Sequence, residues 1–432
     1  SAKIFYRDIG DYLTREQKLD IIARTPDVLS DDFKPLTPND KGDWINLRGD
    51  DFDTFIPLAP ERKFDGSAQS FFVVNSAGVL TSRDAWAYNF SHPALESNMR
   101  TTIDYYNTHD TTDVDTTKIV WSDVVIRNKN HRREMVFDAA QIVESTYRPF
   151  CKENLYFNPI LNERRSIMPK LFPSGTEENL LICVSSVSSK QNFAAIITNK
   201  ISDYWFNGNT QCFPLYWYET ARQGGLFGEE LTRRDGVTDW IMRRAIELYG
   251  GGVTREDVFY YVYGFLHLPS YREKFSAELK KSLPRIILTD EAEKFWSLSR
   301  AGRALAEIHL NYETQEPAQV EVVGAERGNF AVKKLKLSKD KTTLTYNKFI
   351  TIRNIPPRAF EYVVNGRSPL EWIIDRYQVK TDKASGIVND ANAWGLEHDK
   401  PRYILDLILS AITVSLKTLD IVDGLPSVDF GG

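Results

Sequence analysis

The nearest approach to a catalytic constellation in this 432-residue sequence is Asp257 followed by Glu278-Leu279-Lys280. A metal-dependent nuclease needs carboxylates and a lysine gathered at one metal ion. Glu278 and Lys280 fall in a stretch of helical period, where such charges are ordinary surface, so no nuclease centre is expected. Gly324-Ala325-Glu326-Arg327-Gly328 is the nearest Gly-rich turn. It matches neither a P-loop nor the strand-to-helix turn that holds dinucleotides or S-adenosylmethionine. Asn158-Pro159-Ile160 and Ile355-Pro356-Pro357-Arg358 are not the Asn/Asp-Pro-Pro-Tyr/Phe loop of an amino-methyltransferase. The six histidines (His92, His109, His131, His267, His309, His398) are scattered and HExxH is absent, which argues against a zinc hydrolase. Three widely spaced cysteines, Cys151, Cys183 and Cys212, form no CxxC pair. Neither a disulfide framework nor a zinc site is expected, and a reducing cytoplasm fits. The expectation is a chain with no catalytic residue, metal or cofactor of its own.

Charge carries more information than motif. The net charge is −5, but residues 1–115 hold 12 Lys/Arg against 20 Asp/Glu, residues 116–170 hold 10 against 6, and residues 331–380 hold 11 against 4. Phosphate binding needs local positive potential, not a basic protein overall. The basic stretches allow an anionic partner; solvated surface is the alternative.

The elements that must position these groups change character along the chain. Thr14–Arg24 reads as a short amphipathic helix with Thr14 as its cap. Residues 25–70 read as loops, 70–74 and 118–121 as strands, and Leu180–Val184, Phe193–Thr198 and Cys212–Tyr218 as further strands. From Thr238 the period becomes 3.6: helices are expected over 238–249, 255–267, 269–283 and 290–310. Lys333–Ile352 returns to strand-like alternation with lysine on one face. A final helix is expected over 401–422, with Asp399 able to cap it, Pro401 in its first turn and Gly424 at its end. No apolar run reaches eighteen residues, so no membrane span is expected. The class is α+β: mixed, mostly antiparallel sheets, helices clustered at about 238–310, and a C-terminal helix.

Several separated blocks occur in one order: Lys3-Ile4-Phe5-Tyr6-Arg7-Asp8-Ile9-Gly10; Gly78-Val79-Leu80-Thr81-Ser82-Arg83-Asp84-Ala85-Trp86; Tyr147-Arg148-Pro149-Phe150 with Tyr156-Phe157; His267-Leu268-Pro269-Ser270-Tyr271-Arg272; Ser368-Pro369-Leu370-Glu371-Trp372 with Asp375-Arg376-Tyr377; and Ser385-Gly386-Ile387-Val388-Asn389-Asp390. In these blocks and their order the chain resembles the C-terminal region of the Type ISP (single-polypeptide Type I) restriction-modification enzymes. The resemblance implies a parent polypeptide with nuclease, helicase-like and N6-adenine methyltransferase domains, using S-adenosylmethionine, ATP and Mg²⁺. This chain would be its target-recognition part, and the start at Ser1-Ala2-Lys3 reads as a cut inside that longer bacterial, cytoplasmic protein. It divides the chain into 1–115 (methyltransferase tail or connector), 116–310 (recognition core) and 311–432 (C-terminal part).

Within that frame the partner is double-stranded DNA together with the parent's methyltransferase and helicase-like domains. Candidates for phosphate are Arg127, Lys129, Arg132, Arg133, Lys333, Lys334, Lys336, Lys339 and Lys341. Residues that set a target differ between enzymes with different targets, so base readers are sought in the less family-like interval 191–234. Arg or Lys suits guanine and Asn or Gln suits adenine, which selects Gln191, Asn192, Asn207, Asn209, Gln211, Arg222, Gln223, Arg233 and Arg234. Arg148 and the pair Asp375–Arg376 are expected as structural anchors. The competing function is a protein-interaction module that relays recognition to the motor and methyltransferase without touching bases.

Overall fold

Three apolar runs build the central sheet: Leu181–Val184, Ala195–Thr198 and Gln211–Pro214, with Ser76–Ala77 added at one edge, all antiparallel. Their side chains alternate between two cores. Leu181, Cys183, Ile196 and Cys212 face one; Ile182, Val184, Ile197 and Phe213 face the other. A sheet buried on both faces needs continuous apolar strands, as these are. The computed structural model describes residues 51–185, 187, 191–221 and 230–430, together with 3–10, 13–25, 27, 32–38, 42 and 44. It divides into two compact units, 1–49 and 50–432.

In the first unit, strands Ile4–Tyr6 and Lys34–Leu36 pair antiparallel. Helix Arg15–Ala23 starts at Thr14, whose hydroxyl accepts from the Gln17 amide while the Gln17 side chain accepts from the Thr14 amide.

In the second unit, helices Asp239–Tyr249, Arg255–Phe265 and Ala292–Leu310 build the second core, the first two capped by Thr238 and Thr254. Two glycines set how closely Arg255–Phe265 and Ala292–Leu310 approach. A Cβ on Gly302 would lie 1.9 Å from the Tyr260 carbonyl oxygen, and one on Gly264 would lie 2.2 Å from that of Leu298. The first core holds the C-terminal helix Tyr403–Asp423, helix Pro369–Arg376 and the inner face of a sheet ordered Glu321–Val323, Thr351–Arg353, Leu344–Thr345, Lys336–Leu337. Another four-stranded sheet joins Ile201–Ser202 in parallel to Ile142–Arg148, which pairs antiparallel with Cys151–Tyr156, and that with Tyr88–Asn89. The fold is α+β and mostly antiparallel.

Several expected elements differ. The helix expected over 269–283 is two short ones, Pro269–Lys274 and Ser276–Leu279, broken at Phe275. The Phe275 ring instead packs on Phe52, Phe55 and Phe430. No strand forms over 118–121; helix Asp123–Asn130 follows, in the stretch that sequence reading left without a helix. Around 70–74 a single bridge, Phe72 to Val237, replaces the expected strand. The 17-residue helix His92–Thr108, capped by Ser91, has no counterpart in the expectations. Its buried stripe mixes Thr102, Tyr105 and Tyr106 with Leu95, Met99 and Ile103, which blurs the apolar period. The C-terminal helix has no side-chain cap; Asp399 stands outside it in left-handed backbone. The expected boundaries near 115 and 310 fall inside the second unit, where Tyr88–Asn89 pairs with Cys151–Tyr156 and the C-terminal helix packs on Ala292–Leu310.

Candidate nucleic-acid interface

Among the described residues of 191–234 the side chains are not presented as one surface. Asn207 is fully buried, and its amide donates to the carbonyls of Cys183 (3.2 Å) and Ala194 (2.9 Å), so this candidate holds two strands together and presents no edge to a ligand. Asn209 takes left-handed backbone in the turn that follows, a conformation asparagine tolerates. Gln211 is half-buried on the central sheet, where its Oε1 accepts from Asn75 at 2.8 Å. Gln191 and Asn192 are exposed and line a cavity with His267 and Arg272. Arg222 and Gln223 lie outside the described residues.

Arg233 and Arg234 stand on a two-stranded antiparallel ribbon, Tyr216–Ala221 with Glu230–Asp235, in the register Tyr216 to Asp235 and Tyr218 to Arg233. Strand alternation places Tyr216, Tyr218 and Arg233 on one face and Trp217, Glu219 and Arg234 on the other. The two arginines differ in what they are free to do. Arg234 pairs with Glu219 at 3.1 Å. Arg233 lies over the Tyr216 ring at 4.2 Å and, among the described residues, has no carboxylate partner. The ribbon's base is fixed: Tyr218 Oη donates to the Glu178 carbonyl (3.0 Å), Trp217 Nε1 to that of Asp235 (3.1 Å), and the Trp217 ring packs at a tilt against Phe64. Gly236 lets the chain leave it, since a Cβ there would lie 1.9 Å from the Pro214 carbonyl oxygen. The strand expected over Cys212–Tyr218 reaches the start of this ribbon, whereas Glu230–Asp235 has Leu231 as its one aliphatic side chain and so carries no apolar alternation to mark a strand.

The basic candidates also divide. Arg127 and Arg132 are exposed; Lys129 donates to the carbonyls of Tyr106 and Asn107, and Arg133 Nη1 to Asn128 Oδ1 at 3.0 Å. Lys129 is thereby spent on the C-terminal end of helix His92–Thr108. Lys341 pairs with Glu371 at 2.8 Å. Lys333, Lys334, Lys336 and Lys339 are exposed on or beside strand Lys336–Leu337, an edge of its sheet. Lysine on an edge strand also discourages pairing with another chain.

Arg148 sits at a tight turn in which Phe150 takes positive φ and buries its ring. Its Nη1 meets Asp203 Oδ1 at 2.6 Å and its Nη2 meets Asp84 Oδ2 at 3.3 Å, while the guanidinium covers Tyr147 at 3.9 Å. Burial pushes the Asp203 carboxyl up to about 7 against the opposing pull of Arg148. Asp375 is half-buried and meets Arg376 Nε at 2.8 Å and Arg367 Nη1 at 3.0 Å, so the expected Asp375–Arg376 pair forms within a partly exposed cluster that also holds Arg367. Cys183 and Cys212, distant in sequence, are cross-strand neighbours with sulfurs 3.3 Å apart. Among the described residues no group of three or more His, Cys, Asp or Glu is placed to hold a metal.

Glu153 is buried, accepts from Asn389 Nδ2 at 2.8 Å, and is pushed by burial up to about 7. From its ordinary value of 4.5 up to about 7, the folded chain keeps a proton that the unfolded chain has released, so stability falls as pH rises through that window. Glu153→Gln should flatten that fall and raise stability at pH 8 by about 1–3 kcal/mol, with little gain below pH 4.5. Urea melts of both proteins at the two pH values test this; a difference independent of pH would contradict it.

A family model for the Type ISP C-terminal specificity domain matches residues 70–407. The chain belongs to this family. Among solved structures, this specificity domain is similar to the ATP-dependent Type ISP restriction-modification enzyme LlaBIII bound to DNA, at 35% identity and a TM-score of 0.89 over 99% of the chain. It is similar also to a nuclease-deletion mutant of the Type ISP enzyme LlaGI in complex with a DNA substrate mimic (38%, 0.85, 100%) and to DrdV in its cryo-electron-microscopy complex with DNA (26%, 0.81, 99%). The specificity domain spans 28%, 40% and 43% of those three chains. No curated protein matches it.

Proposed function

We propose that this specificity domain reads the duplex target of a restriction-modification polypeptide, and that the ribbon 216–235 is the element that enters the major groove. A two-stranded ribbon fits that groove, and arginine is the commonest reader of guanine there. The observation that carries the reading is Arg233: exposed, held over Tyr216 and without a carboxylate partner among the described residues. Arg222 and Gln223, between the ribbon's two strands in sequence, remain candidates for base reading by residue type. Gln191 and Asn192 remain candidates, and Lys333, Lys334, Lys336, Lys339, Arg127 and Arg132 would contact phosphate. The membership of the family and the DNA complexes of LlaBIII, LlaGI and DrdV support the assignment. On this reading methylation and cleavage belong to methyltransferase, helicase-like and nuclease domains of the same parent, with S-adenosylmethionine, ATP and Mg²⁺ bound there, in a bacterial cytoplasm. Among the described residues no helix is long and apolar enough to cross a membrane.

The test uses binding to a panel of single-base variants of the parent's mapped methylation target. Arg233→Ala should cost about 1–3 kcal/mol of discrimination at one base pair. Replacing Lys333, Lys334 and Lys336 together by Ala should weaken target and non-target DNA alike, lowering the log–log salt slope by roughly 0.9 for each true contact. If Arg233→Ala discriminates every variant as the parent sequence does, the ribbon is not the reader.

A further inference from the structure

The single aliphatic side chain of strand Glu230–Asp235 is Leu231, and the ribbon leaves it 42% exposed. Arg233 follows two residues later on the same face, because strand side chains alternate. Cross-strand pairing sets Thr220 opposite Leu231 and Tyr218 opposite Arg233. Thr220, Leu231 and Arg233 are exposed, whereas Tyr218 is half-buried. An isolated exposed leucine is ordinary on a protein surface. Leu231 differs in its setting, on an otherwise polar strand and beside an arginine without a carboxylate partner among the described residues.

The two faces of the ribbon differ in charge. Along Tyr218, Thr220, Leu231 and Arg233 there is no carboxylate. The acids nearest that face lie at the ribbon's base, Asp235 on Arg255 at 2.9 Å and Glu256 on Tyr216 Oη at 3.4 Å. The opposite face carries Glu219, which Arg234 offsets. Duplex phosphates repel a carboxylate, so the face of Leu231 and Arg233 is the one suited to turn into the groove. Leucine has no hydrogen-bonding group and cannot match a donor or acceptor on a base edge. Laid against such an edge it would leave a polar group covered and unpaired, at a cost. The one apolar group in the major groove is the C5-methyl of thymine. Spacing fits as well: residues two apart on a strand lie about 6.6–6.8 Å apart, close to two base-pair rises of about 3.4 Å.

We infer that Leu231 selects a thymine by covering its C5-methyl group, about two base pairs from the guanine that Arg233 contacts. This role depends on the ribbon being the element in the groove, and it adds a second base to the one read by hydrogen bonds. The Thr220 methyl, across from Leu231, would widen the apolar contact.

The experiment measures binding of the full chain to the mapped methylation target and to duplexes in which each thymine in turn is replaced by deoxyuridine. Deoxyuridine keeps the base pair and the O4 acceptor and removes only the methyl. At one position the replacement should weaken binding about fourfold, the worth of one buried methyl group. That position should lie about two base pairs from the pair whose discrimination Arg233→Ala relaxes. Leu231→Ala should melt as the unsubstituted chain does, since the side chain is exposed, and should bind the thymine and deoxyuridine duplexes equally. A target without thymine, tolerance of deoxyuridine at every position, or a methyl dependence that survives Leu231→Ala would overturn the inference. If Arg233→Ala relaxes one base pair while deoxyuridine is tolerated throughout, the leucine reading fails alone. If neither change matters, the ribbon is not the reader.

Discussion

Arg148→Met is expected to destabilise the chain by about 3–5 kcal/mol at pH 8, because it strands a buried carboxylate. Asp203 is 1% exposed and takes Nη1 of Arg148 at 2.6 Å, with Tyr88 Oη at 3.2 Å and the Trp205 amide at 2.7 Å as its remaining donors. Removing the guanidinium leaves hydrogen bonds but no counter-charge. The carboxyl already sits up at about 7, raised by burial and pulled back by Arg148, so the variant's carboxyl should titrate higher still. Protonation then removes the uncompensated charge, and the loss should shrink as pH falls to 6 and below. The double variant Arg148→Met, Asp203→Asn should recover most of the stability at pH 8, since the two changes act on one interaction. Urea denaturation of the three proteins at both pH values measures this. A loss that is unchanged by pH and unrelieved by Asp203→Asn would mean that Arg148 acts through its packing on Tyr147 instead.

Gly302→Ala should cost about 3 kcal/mol or more, although alanine is intrinsically better than glycine inside a helix by about 1 kcal/mol. The added Cβ would lie 1.9 Å from the Tyr260 carbonyl oxygen and 2.8 Å from the Gly264 nitrogen, both backbone atoms of the facing helix. Neither can move aside as a flexible side chain would, so the two helices must separate and the second core must loosen along their length. Gly252→Ala is the control: a Cβ there meets nothing within 4 Å, so its effect should stay within about 0.5 kcal/mol. Thermal melts of both variants decide. A stabilised Gly302→Ala would show that the helices do not approach this closely in solution.

Much of the secondary structure was legible because it rests on local physics. Thr14, Thr238 and Thr254 each precede a helix and each cap it, since a hydroxyl at that position satisfies an amide the helix leaves open. The apolar runs at 181–184 and 195–198 announce strands because a sheet between two cores admits no polar alternation. The family, too, was readable from ordered blocks that span the chain. The helix His92–Thr108 was not, because its apolar stripe is completed by Thr102 and by tyrosines whose hydroxyls find partners only in the folded chain, as Tyr106 does in the Arg133 carbonyl.

The candidate site divides along the same line. Residue type alone named amides and cations able to recognise DNA, and Arg233 and Arg234 stand on an exposed ribbon. Type could not say which of them the fold would spend on itself. Asn207 ties two strands from inside, Gln211 bonds Asn75, Lys129 closes a helix end and Lys341 meets Glu371; each partner but one is more than twenty residues away in sequence. The sequence by itself determined the inventory of groups, the α+β periodicity and the family. Tertiary structure decided which groups stay free to bind, because hydrogen bonds and charge compensation depend on neighbours that the chain brings together only by folding.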